Sequence, residues 1–419
     1  MRAQAIFIAG NASLSSHQSR FFLLVFVMSF KHLQLFMIRL FFSVVLIVSP
    51  SLTMAQVIIP RAPDIAANSY VLLDAQTGQI LVEENADEPL PPASLTKIMT
   101  AYIAIEEIIN GNLELTDKVH ISEKAWRMEG SKMFVDVNSQ VSIEDLLRGI
   151  IIQSGNDASV AISEHIAGSE EAFADMMNQY SEVLGMKDSF FMNASGLDTE
   201  LYYNTMSARD LSILATATIQ RHGQFYPMYA EREFTYNNIR QANRNTLLFR
   251  DRNVDGMKTG WTDAAGYCLV ASAERDGMRL ISVVMGTSSE EARAIETQKL
   301  LTYGFRYYET HKLYDAGQVL ASVPVYSGVS DSVQLAIQDD VYVTIPRGAA
   351  ESMTATVDVD EVIQAPIQQH QSMGTVNVIL GDEQVFSGEV VAAQAVEEGG
   401  MLKQFVDWIN LMFSDAMVE

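Results

Sequence analysis

The strongest constraint on the fold is residues 94–109, a predicted helix with apolar side chains on nearly all of its faces. The segment follows Pro91-Pro92-Ala93 and is closed by Asn110-Gly111, and both flanks are typical of helix ends. A helix that is apolar all round is buried rather than laid on a surface. We therefore expect it at the centre of a domain, surrounded by other elements. Its apolar members are Leu95, Ile98, Met99, Tyr102, Ile103, Ile105 and Ile108.

Two reactive side chains begin this helix, a hydroxyl at Ser94 and an amine at Lys97. Residues three apart lie on one helix face, so the two groups are adjacent. The helix N-terminus favours negative charge developing on Ser94. Burial, together with a second cation that we expect to be Lys258, lowers the pKa of a lysine and leaves part of it neutral. The spacing therefore predicts Ser94 as a nucleophile and Lys97 as its proton acceptor, which later protonates a leaving amine.

A second motif, Ser154-Gly155-Asn156, stands before a predicted helix at 157–167. We expect Ser154 to relay a proton between Lys97 and the leaving amine, and Asn156 to hold a substrate carbonyl. When the motif is taken alone, plain N-capping of the helix by Ser154 or Asn156 is the better explanation. The motif gains its meaning from the other two.

The third motif, Lys258-Thr259-Gly260, offers a charge and a hydroxyl to a substrate carboxylate. Gly260 is expected to let a substrate backbone approach the strand edge. The backbone N–H groups of Ser94 and Trp261 are candidates for an oxyanion hole. Each motif is weak alone, but the three in this order predict acyl transfer through a serine ester.

The hydrophobic pattern predicts two domains with different secondary structure. In residues 56–312, strands near both ends enclose a run of helices, which indicates one sheet built from distant segments and covered by helices. In residues 313–396, short alternating runs indicate a small all-β domain, interpreted as a spacer or docking module. The predicted strands are 69–74, 79–83, 267–273, 280–285, 319–325, 333–337, 341–345, 355–359, 375–380 and 390–393, and the further helices are 142–151, 157–167, 170–184, 207–220 and 289–303.

The composition argues against several classes of partner. A formal net charge of -24 makes nucleic acid an unsuitable partner and predicts a solvated acidic surface. The chain has one cysteine, Cys268, so no intrachain disulfide forms, and its strand-like surroundings predict a buried, inert thiol. His120, His165 and His222 are isolated, and the sequence has no phosphate-binding glycine motif. We therefore predict neither a metal nor a cofactor.

Residues 1–55 are predicted to be an N-terminal extension and a signal peptide. A short positive region, an apolar run at 40–48 and small residues before Gln56 are typical of a secretory signal, with Gln56 as the mature N-terminus. The residues before Met37 are redundant for export, which makes Met37 a candidate start. An uncleaved anchor is the alternative, although the run at 40–48 is shorter than the about 20 residues that span a bilayer.

Residues 397–419 contain a predicted amphipathic helix at 401–419. Because no later segment covers its apolar stripe, we expect a membrane-surface anchor rather than a helix docked on the β domain. Lys403 is the one basic residue beside three acidic residues, so apolar burial has to provide the binding instead of attraction to anionic lipid. The stripe comprises Leu402, Phe405, Val406, Ile409, Met412, Phe413 and Ala416.

Four segments, 92–97, 153–158, 253–260 and 344–347, together resemble the low-molecular-mass penicillin-binding proteins, serine-type D-alanyl-D-alanine carboxypeptidases of Gram-negative bacteria. The resemblance covers essentially all of the mature chain. It implies an α+β, β-lactamase/transpeptidase-like catalytic domain with an antiparallel sheet, held in the periplasm at the outer face of the inner membrane by the terminal helix. It also implies removal of the terminal D-alanine from peptidoglycan pentapeptides ending in D-Ala-D-Ala, with β-lactam antibiotics as covalent inhibitors.

The resemblance further implies that Arg293 helps to bind the substrate carboxylate, whereas the residues alone predict a solvated helix position. Trp261 stands where family members often carry histidine, which predicts a shift in substrate preference. The terminal helix carries less positive charge than the terminal helix of family members. The strength of its membrane anchoring therefore stays open.

Three other functions are weighed against the carboxypeptidase. A DD-endopeptidase activity stays open. A β-lactamase on the same fold is disfavoured because no E-x-x-L-N pattern follows Asn156. A non-catalytic scaffold that binds peptidoglycan is disfavoured by the intact motif residues.

Overall fold

The computed structural model describes residues 58–198, 203–360 and 362–415, with the backbone alone at 413–415. The predicted signal peptide, the cut before Gln56 and the alternative start at Met37 lie outside these residues. The strands are β1 (Ser69–Asp74), β2 (Ile80–Glu84), β3 (Lys118–His120), β4 (Gln140–Ser142), β5 (Glu233–Tyr236), β6 (Ile239–Ala242), β7 (Val254–Thr262), β8 (Gly266–Arg275), β9 (Met278–Thr287), β10 (Tyr308–Tyr314), β11 (Val319–Pro324), β12 (Ser332–Ala336), β13 (Val341–Pro346), β14 (Met353–Val359), β15 (Ser372–Leu380) and β16 (Glu383–Ala392).

The helices are α1 (Lys97–Ile109), α2 (Glu123–Arg127), α3 (Ile143–Arg148), α4 (Asn156–Ala167), α5 (Glu170–Leu184), α6 (Ala208–Arg221), α7 (Leu247–Arg250), α8 (Glu290–Tyr307) and α9 (Met401–Asp415). Within the described residues, five strands form an antiparallel sheet in the order β2-β1-β9-β8-β7. Strands near both ends of the catalytic region thus meet in one sheet, and helices cover it. The predicted mixed fold is confirmed.

Helix α1 is the buried central helix that the sequence predicts, but it starts at Lys97 instead of Ser94, because residues 93–96 form a 3-10 turn. Ile98, Ile103 and Ile105 are each fully buried, and the helix packs against α4, α5 and α6. Burying one such side chain contributes about 1.5–3 kcal/mol. The helix therefore acts as the rigid support on which the reactive groups at its start are placed.

Serine hydroxyls set the first residue of three predicted helices. Ser142, Ser207 and Ser289 each accept a hydrogen bond from the backbone N–H three residues later. Such caps stabilise a helix by about 1 kcal/mol. The helices α3, α6 and α8 consequently start one residue later than predicted, because the serine itself is the cap.

The predicted helix at 142–151 is too long, and the difference creates part of the site. Helix α3 ends at Arg148, and a short π-helix, Gly149–Gln153, follows it directly. Ser154 follows with a left-handed φ of 66° and leaves the helical path. Helix α4 then starts at Asn156 with Gly155 at its N-cap and no side-chain cap, so the capping explanation of the second motif is wrong.

Between α8 and α9 the described regular elements are β-strands apart from one short 3-10 turn, Ala350–Ser352, so the predicted all-β domain is confirmed. Strands β10 and β13 pair with each other, and the order β11-β12-β16-β15-β14 forms a second antiparallel sheet. Strand β16 is longer than the predicted 390–393, since its first half is only partly buried and lacks a strong apolar signal. The Thr77 and Thr344 hydroxyl oxygens lie 2.7 Å apart, and Thr310 donates to Asp74, which joins the two domains.

Helix α9 is docked on the β domain, which the sequence analysis did not expect, but it docks through its polar face and leaves its apolar face in solvent. Asp407 is buried and accepts from the Ser327 N–H at 2.8 Å, while Lys403 pairs with Asp407 and Asp331. The exposed stripe contains Leu402, Phe405, Trp408 and Met412. Among the described helices, none combines the length and apolar character that crossing a membrane requires.

Candidate active site

Ser94 lies in a short 3-10 turn, Ala93–Thr96, that leads directly into α1. Ala93 has a φ of 48°, a conformation that costs of order 1–3 kcal/mol for a residue with a Cβ and concentrates at functional sites. A Cβ at Gly260 would lie 2.7 Å from the Pro92 carbonyl oxygen. Gly260 thus admits the chain's own turn at Pro92, and the approach of a substrate backbone to the edge of β7 stays a prediction.

Lys97 is buried beneath Ser94 and has three acceptors for its three protons. Its Nζ donates to Ser94 Oγ at 3.0 Å, to Asn156 Oδ1 at 2.7 Å and to the Ser195 carbonyl at 2.6 Å. Burial first, and the charge of Arg244 second, lower the pKa of Lys97 to about 7. The pKa of Lys97 is thus lowered in the predicted direction, and Arg244 adds a cation that the sequence did not suggest. Lys97 and Lys258 also repel each other, which contributes to the lowered pKa of Lys258.

Ser154 and Lys258 form a second hydroxyl–amine pair beside the first. The Lys258 Nζ donates to Ser154 Oγ and to its neighbour's carbonyl, Thr259 O, at 2.9 Å each. Burial, followed by the charges of Lys97 and Arg244, holds the pKa of Lys258 well below its usual value. Ser154 therefore contacts Lys258 instead of Lys97. Lys258 is buried, and its predicted contact with a substrate carboxylate stays a prediction.

Asn156 bridges the two sides of the site. Its Oδ1 accepts from Lys97, and its Nδ2 donates to the Glu129 carbonyl at 2.7 Å. The amide is thus oriented by Lys97 on one side and by the loop after α2 on the other. Because Nδ2 carries two protons, its second N–H is available for the predicted contact with a substrate carbonyl.

A cleft of about 850 Å³ opens above these groups. Ser94, Asn156 and Trp261 lie on its wall, as the motifs predict, and Arg244 joins them. Sequence reasoning missed Arg244, because Asn243-Arg244-Asn245 matches no chemical motif and a single arginine in a loop usually serves solubility. The cleft lining comprises Ser94, Gly130, Ser131, Asn156, Gly196, Leu197, Asp198, Arg244, Trp261, Thr262, Asp263 and Ala264.

Arg293 is buried behind the third motif instead of being solvated. Its Nη1 donates to the Gly260 carbonyl at 3.3 Å, its Nη2 pairs with Glu290 at 3.2 Å, and its guanidinium lies 5.7 Å from the Tyr267 ring centre. Burial lowers the pKa of Arg293. In this structure Arg293 supports strand β7 from behind.

Trp261 is half-exposed at the mouth of the cleft, and its ring centre lies 5.8 Å from that of Tyr267. Thr259 and Gly260 precede it on the buried part of β7, and Thr259 is 5% exposed. Cys268, opposite Gly260 on β8, is fully buried, and burial raises the pKa of its thiol to about 11. The thiol is inert, as predicted.

The arrangement suits transfer of an acyl group to a hydroxyl. A nucleophile, a partly neutral amine and a second hydroxyl–amine pair lie within hydrogen-bond distance in a water-poor site. Proton transfer by a positioned base of matched pKa accelerates such a step by about 10²–10⁴-fold. No group of three or more His, Cys, Asp or Glu side chains suited to a metal ion occurs in the part of the chain that the structure describes.

Comparison with known proteins assigns both domains. Residues 56–289 match a family model described as peptidase S11, D-alanyl-D-alanine carboxypeptidase, and residues 308–398 match one described as the penicillin-binding protein 5 C-terminal domain. The D-alanyl-D-alanine carboxypeptidase DacA of Escherichia coli K12 is 43% identical over 85% of this chain and 90% of its own length.

Solved structures agree with these matches. Penicillin-binding protein 5 from Haemophilus influenzae superposes with a TM-score of 0.78 at 42% identity, over 81% of this chain and all of that one. Penicillin-binding protein D2 from Listeria monocytogenes, solved in an ampicillin-bound form, superposes with a TM-score of 0.54 at 30% identity, over 59% of this chain and all of that one.

Proposed function

The chain belongs to the peptidase S11 family of D-alanyl-D-alanine carboxypeptidases, and from that premise we propose that Ser94 is its acyl-transfer nucleophile. The protein is a serine-type hydrolase of this family and a penicillin-binding protein homologue. The observation that carries the proposal is the 3.0 Å contact between Lys97 Nζ and Ser94 Oγ, with the amine buried and its pKa near 7.

Acylation begins with neutral Lys97. Its Nζ accepts the Ser94 proton while Oγ forms a bond to the carbonyl carbon of the penultimate D-alanine. The backbone N–H groups of Ser94 and Trp261 stabilise the oxyanion. The bond to the terminal D-alanine nitrogen then breaks, and that nitrogen takes a proton delivered from Lys97 or through Ser154, which Lys258 holds at 2.9 Å.

Deacylation reverses the roles around Ser94. A water molecule gives a proton to Lys97 and adds its oxygen to the ester carbonyl carbon. Collapse of the tetrahedral intermediate breaks the bond to Ser94 Oγ, which regains a proton from Lys97. The products are free D-alanine from the first step and a peptide shortened by one residue.

Recognition of the terminal carboxylate is proposed to use the charge of Arg244 and the hydroxyl of Thr259. Arg244 lies on the cleft wall, and Thr259 lies next to Lys258 on β7. Arg293 assists through the Gly260 carbonyl rather than by direct contact. A charge-assisted hydrogen bond from a guanidinium to a carboxylate is roughly twice as strong as a neutral one.

Peptidoglycan pentapeptides ending in D-Ala-D-Ala are the proposed substrate, and β-lactams the proposed covalent inhibitors. The relative solved with ampicillin supports the second part, because it shares this fold over 59% of the chain. A β-lactam carbonyl would acylate Ser94 by the same first step. The leaving nitrogen stays tethered in the ring-opened product, which is why the acyl-enzyme would persist.

The proposed location is the periplasm, with peripheral attachment to the outer face of the inner membrane. The exposed stripe of α9 supports attachment, since Leu402 and Trp408 are 79% and 56% exposed while Asp407 fixes the opposite face to the β domain. An apolar stripe held outward in this way fits the interfacial region of a bilayer.

A D-alanine release assay tests the activity. The wild type is expected to release D-alanine from a pentapeptide faster than from a cross-linked dimer, and Ser94→Ala is expected to release none. If the enzyme cleaves the cross-linked dimer into monomers faster than it releases D-alanine from the pentapeptide, it is instead an endopeptidase. Rapid turnover of penicillin, in place of a lasting acyl-enzyme, would assign a β-lactamase.

A further inference from the structure

We propose that Asn245 is a positioning residue that fixes Arg244, on the cleft wall, relative to the strand that carries Lys258. The inference rests on the proposed roles of Ser94 and Lys97 in acylation. Neither the three motifs nor the family resemblance singles out Asn245, and its side chain lies below the cleft surface.

Both neighbours of Arg244 are buried and held by hydrogen bonds, although Arg244 itself faces the cleft. Asn243 donates from its backbone to the Arg232 carbonyl at 2.8 Å and from Nδ2 to the Glu231 carbonyl at 2.9 Å. Asn245 is 1% exposed, and its N–H donates to Asn243 Oδ1 at 2.9 Å. The backbone on each side of Arg244 is therefore fixed.

The Asn245 side chain links the backbone next to Arg244 to strand β7. Its Nδ2 donates to the Gly256 carbonyl at 2.9 Å, and its Oδ1 accepts from the Leu247 N–H at 3.1 Å. The pairing of β7 with β8 shifts register between Val254 and Gly256, which disrupts the regular strand-to-strand hydrogen bonds there. The Asn245 side chain supplies a hydrogen-bond donor to the Gly256 carbonyl at this point. Lys258 follows two residues later.

Gly256 is also confined from its other side. The Tyr226 hydroxyl occupies the place that a Cβ on Gly256 would take, and that hydroxyl lies 2.5 Å from Ser272 Oγ. Gly256 is thus held by a buried amide at its carbonyl and confined by a buried phenol next to its Cα. A change at Asn245 frees one side of this clamp and leaves the other intact.

The effect of the Arg244 position on the lysines can be measured through the pH dependence of acylation. The Arg244 charge lowers the pKa of both Lys97 and Lys258. If Arg244 moves away from the lysines, the ammonium form of Lys97 is favoured, and its pKa rises. A purely structural asparagine, by contrast, changes stability without moving the pH dependence of acylation.

The experiment uses the full chain and a fluorescent penicillin, with acylation rates measured across pH. We expect Asn245→Ala to slow acylation at neutral pH about 10–100-fold, as a displacement of about 1 Å would, and to move the acidic midpoint to higher pH. Arg244→Ala is expected to move the midpoint in the same direction. In the double variant, Asn245→Ala should add little to the effect of Arg244→Ala.

Two further variants keep the result decisive. Asn245→Ser retains a short acceptor for the Leu247 N–H but does not reach the Gly256 carbonyl, so it tests the strand contact if the alanine variant misfolds. Asn178→Ala removes two hydrogen bonds to Phe191, each 2.8 Å long, and should leave the midpoint unchanged. An unchanged midpoint in both Asn245 variants, or an equal slowing in the Arg244→Ala background, would overturn the proposal. Failure of the wild type to acylate at Ser94 would instead refute the proposed function.

Discussion

The Nζ of Lys97 lies 3.0 Å from the Oγ of Ser94, at the start of a helix that forms the centre of the domain core. The amine is 1% exposed and lies near the charge of Arg244, so its pKa is lowered to about 7. Near neutral pH about half of the molecules therefore hold a neutral base next to the nucleophile. Several measurable properties depend on this one relationship.

The pH dependence of acylation is the first. Lys97 is protonated below its pKa and accepts no proton from Ser94, whereas above it the amine is neutral. The rate of labelling by a fluorescent penicillin should therefore rise as the pH increases through about 7. Measurement from about pH 5 to about pH 9, with Ser94→Ala as the blank, checks this. A rate that is flat over the whole range would exclude Lys97 as the base.

The packing at Gly260 gives a second prediction. Gly260→Ala places a methyl group 2.7 Å from the Pro92 carbonyl, so the nucleophile turn must shift. Overpacking of this kind costs about 1–3 kcal/mol, and we expect both a lower melting temperature and slower penicillin labelling. Gly223→Ala is the matched control, because its Cβ would meet only Ile219 O at 3.8 Å. Equal labelling by both variants would contradict the packing argument.

Trp261 provides a third prediction, on specificity. Its half-exposed ring lies at the cleft mouth, while its proposed contribution to the oxyanion hole comes from the backbone. Trp261→His should leave acylation by a small penicillin nearly unchanged. The KM for a pentapeptide should change about 2–12-fold, corresponding to the loss of one aromatic contact of about 0.5–1.5 kcal/mol.

Trp126→His is the control for that substitution, since Trp126 is 42% exposed on helix α2. Its KM for the pentapeptide should equal that of the wild type. If both tryptophan variants change KM to the same extent, the effect is not specific to the cleft mouth.

Membrane attachment gives the fourth prediction. Trp408→Glu places a charge in the exposed stripe of α9 and removes an apolar contact of about 1.5–3 kcal/mol, so vesicle binding should weaken about 10–100-fold. Asn410→Glu adds the same charge at an exposed position of the polar face and should bind as the wild type does. Co-sedimentation with vesicles measures both. Indistinguishable binding by the two variants would count against the stripe as the anchor.

The sequence predicted much of this architecture because apolar periodicity fixes which faces are buried. The central helix, four of the five strands of the catalytic sheet and most β-domain strands follow from that signal, whereas β7 and β10 were not predicted as strands. The error at 142–151 shows its limit, because an apolar run such as Ile150-Ile151-Ile152 does not distinguish an α-helix from the π-helix that ends at Gln153.

The partners of the site residues were harder to predict, because hydrogen bonds between distant segments leave no local pattern. The motifs identified Ser154 and Lys258 but did not show that the two bond to each other. Arg244 could not be predicted as a site residue, because only the folded structure places it on the wall of the cleft. The residues alone predict a solvated Arg293, and only the family resemblance singles it out, since the helix sequence does not reveal that Gly260 and Tyr267 cover that face.

Peptide mapping of the acylated protein tests the central claim most directly. After reaction with ampicillin and proteolysis, mass spectrometry should find one ampicillin adduct, located on the peptide that contains Ser94. The adduct should be absent from Ser94→Ala and should form more slowly in the wild type below pH 7 than above it. An adduct on any other residue, or equal labelling of Ser94→Ala, would contradict the account.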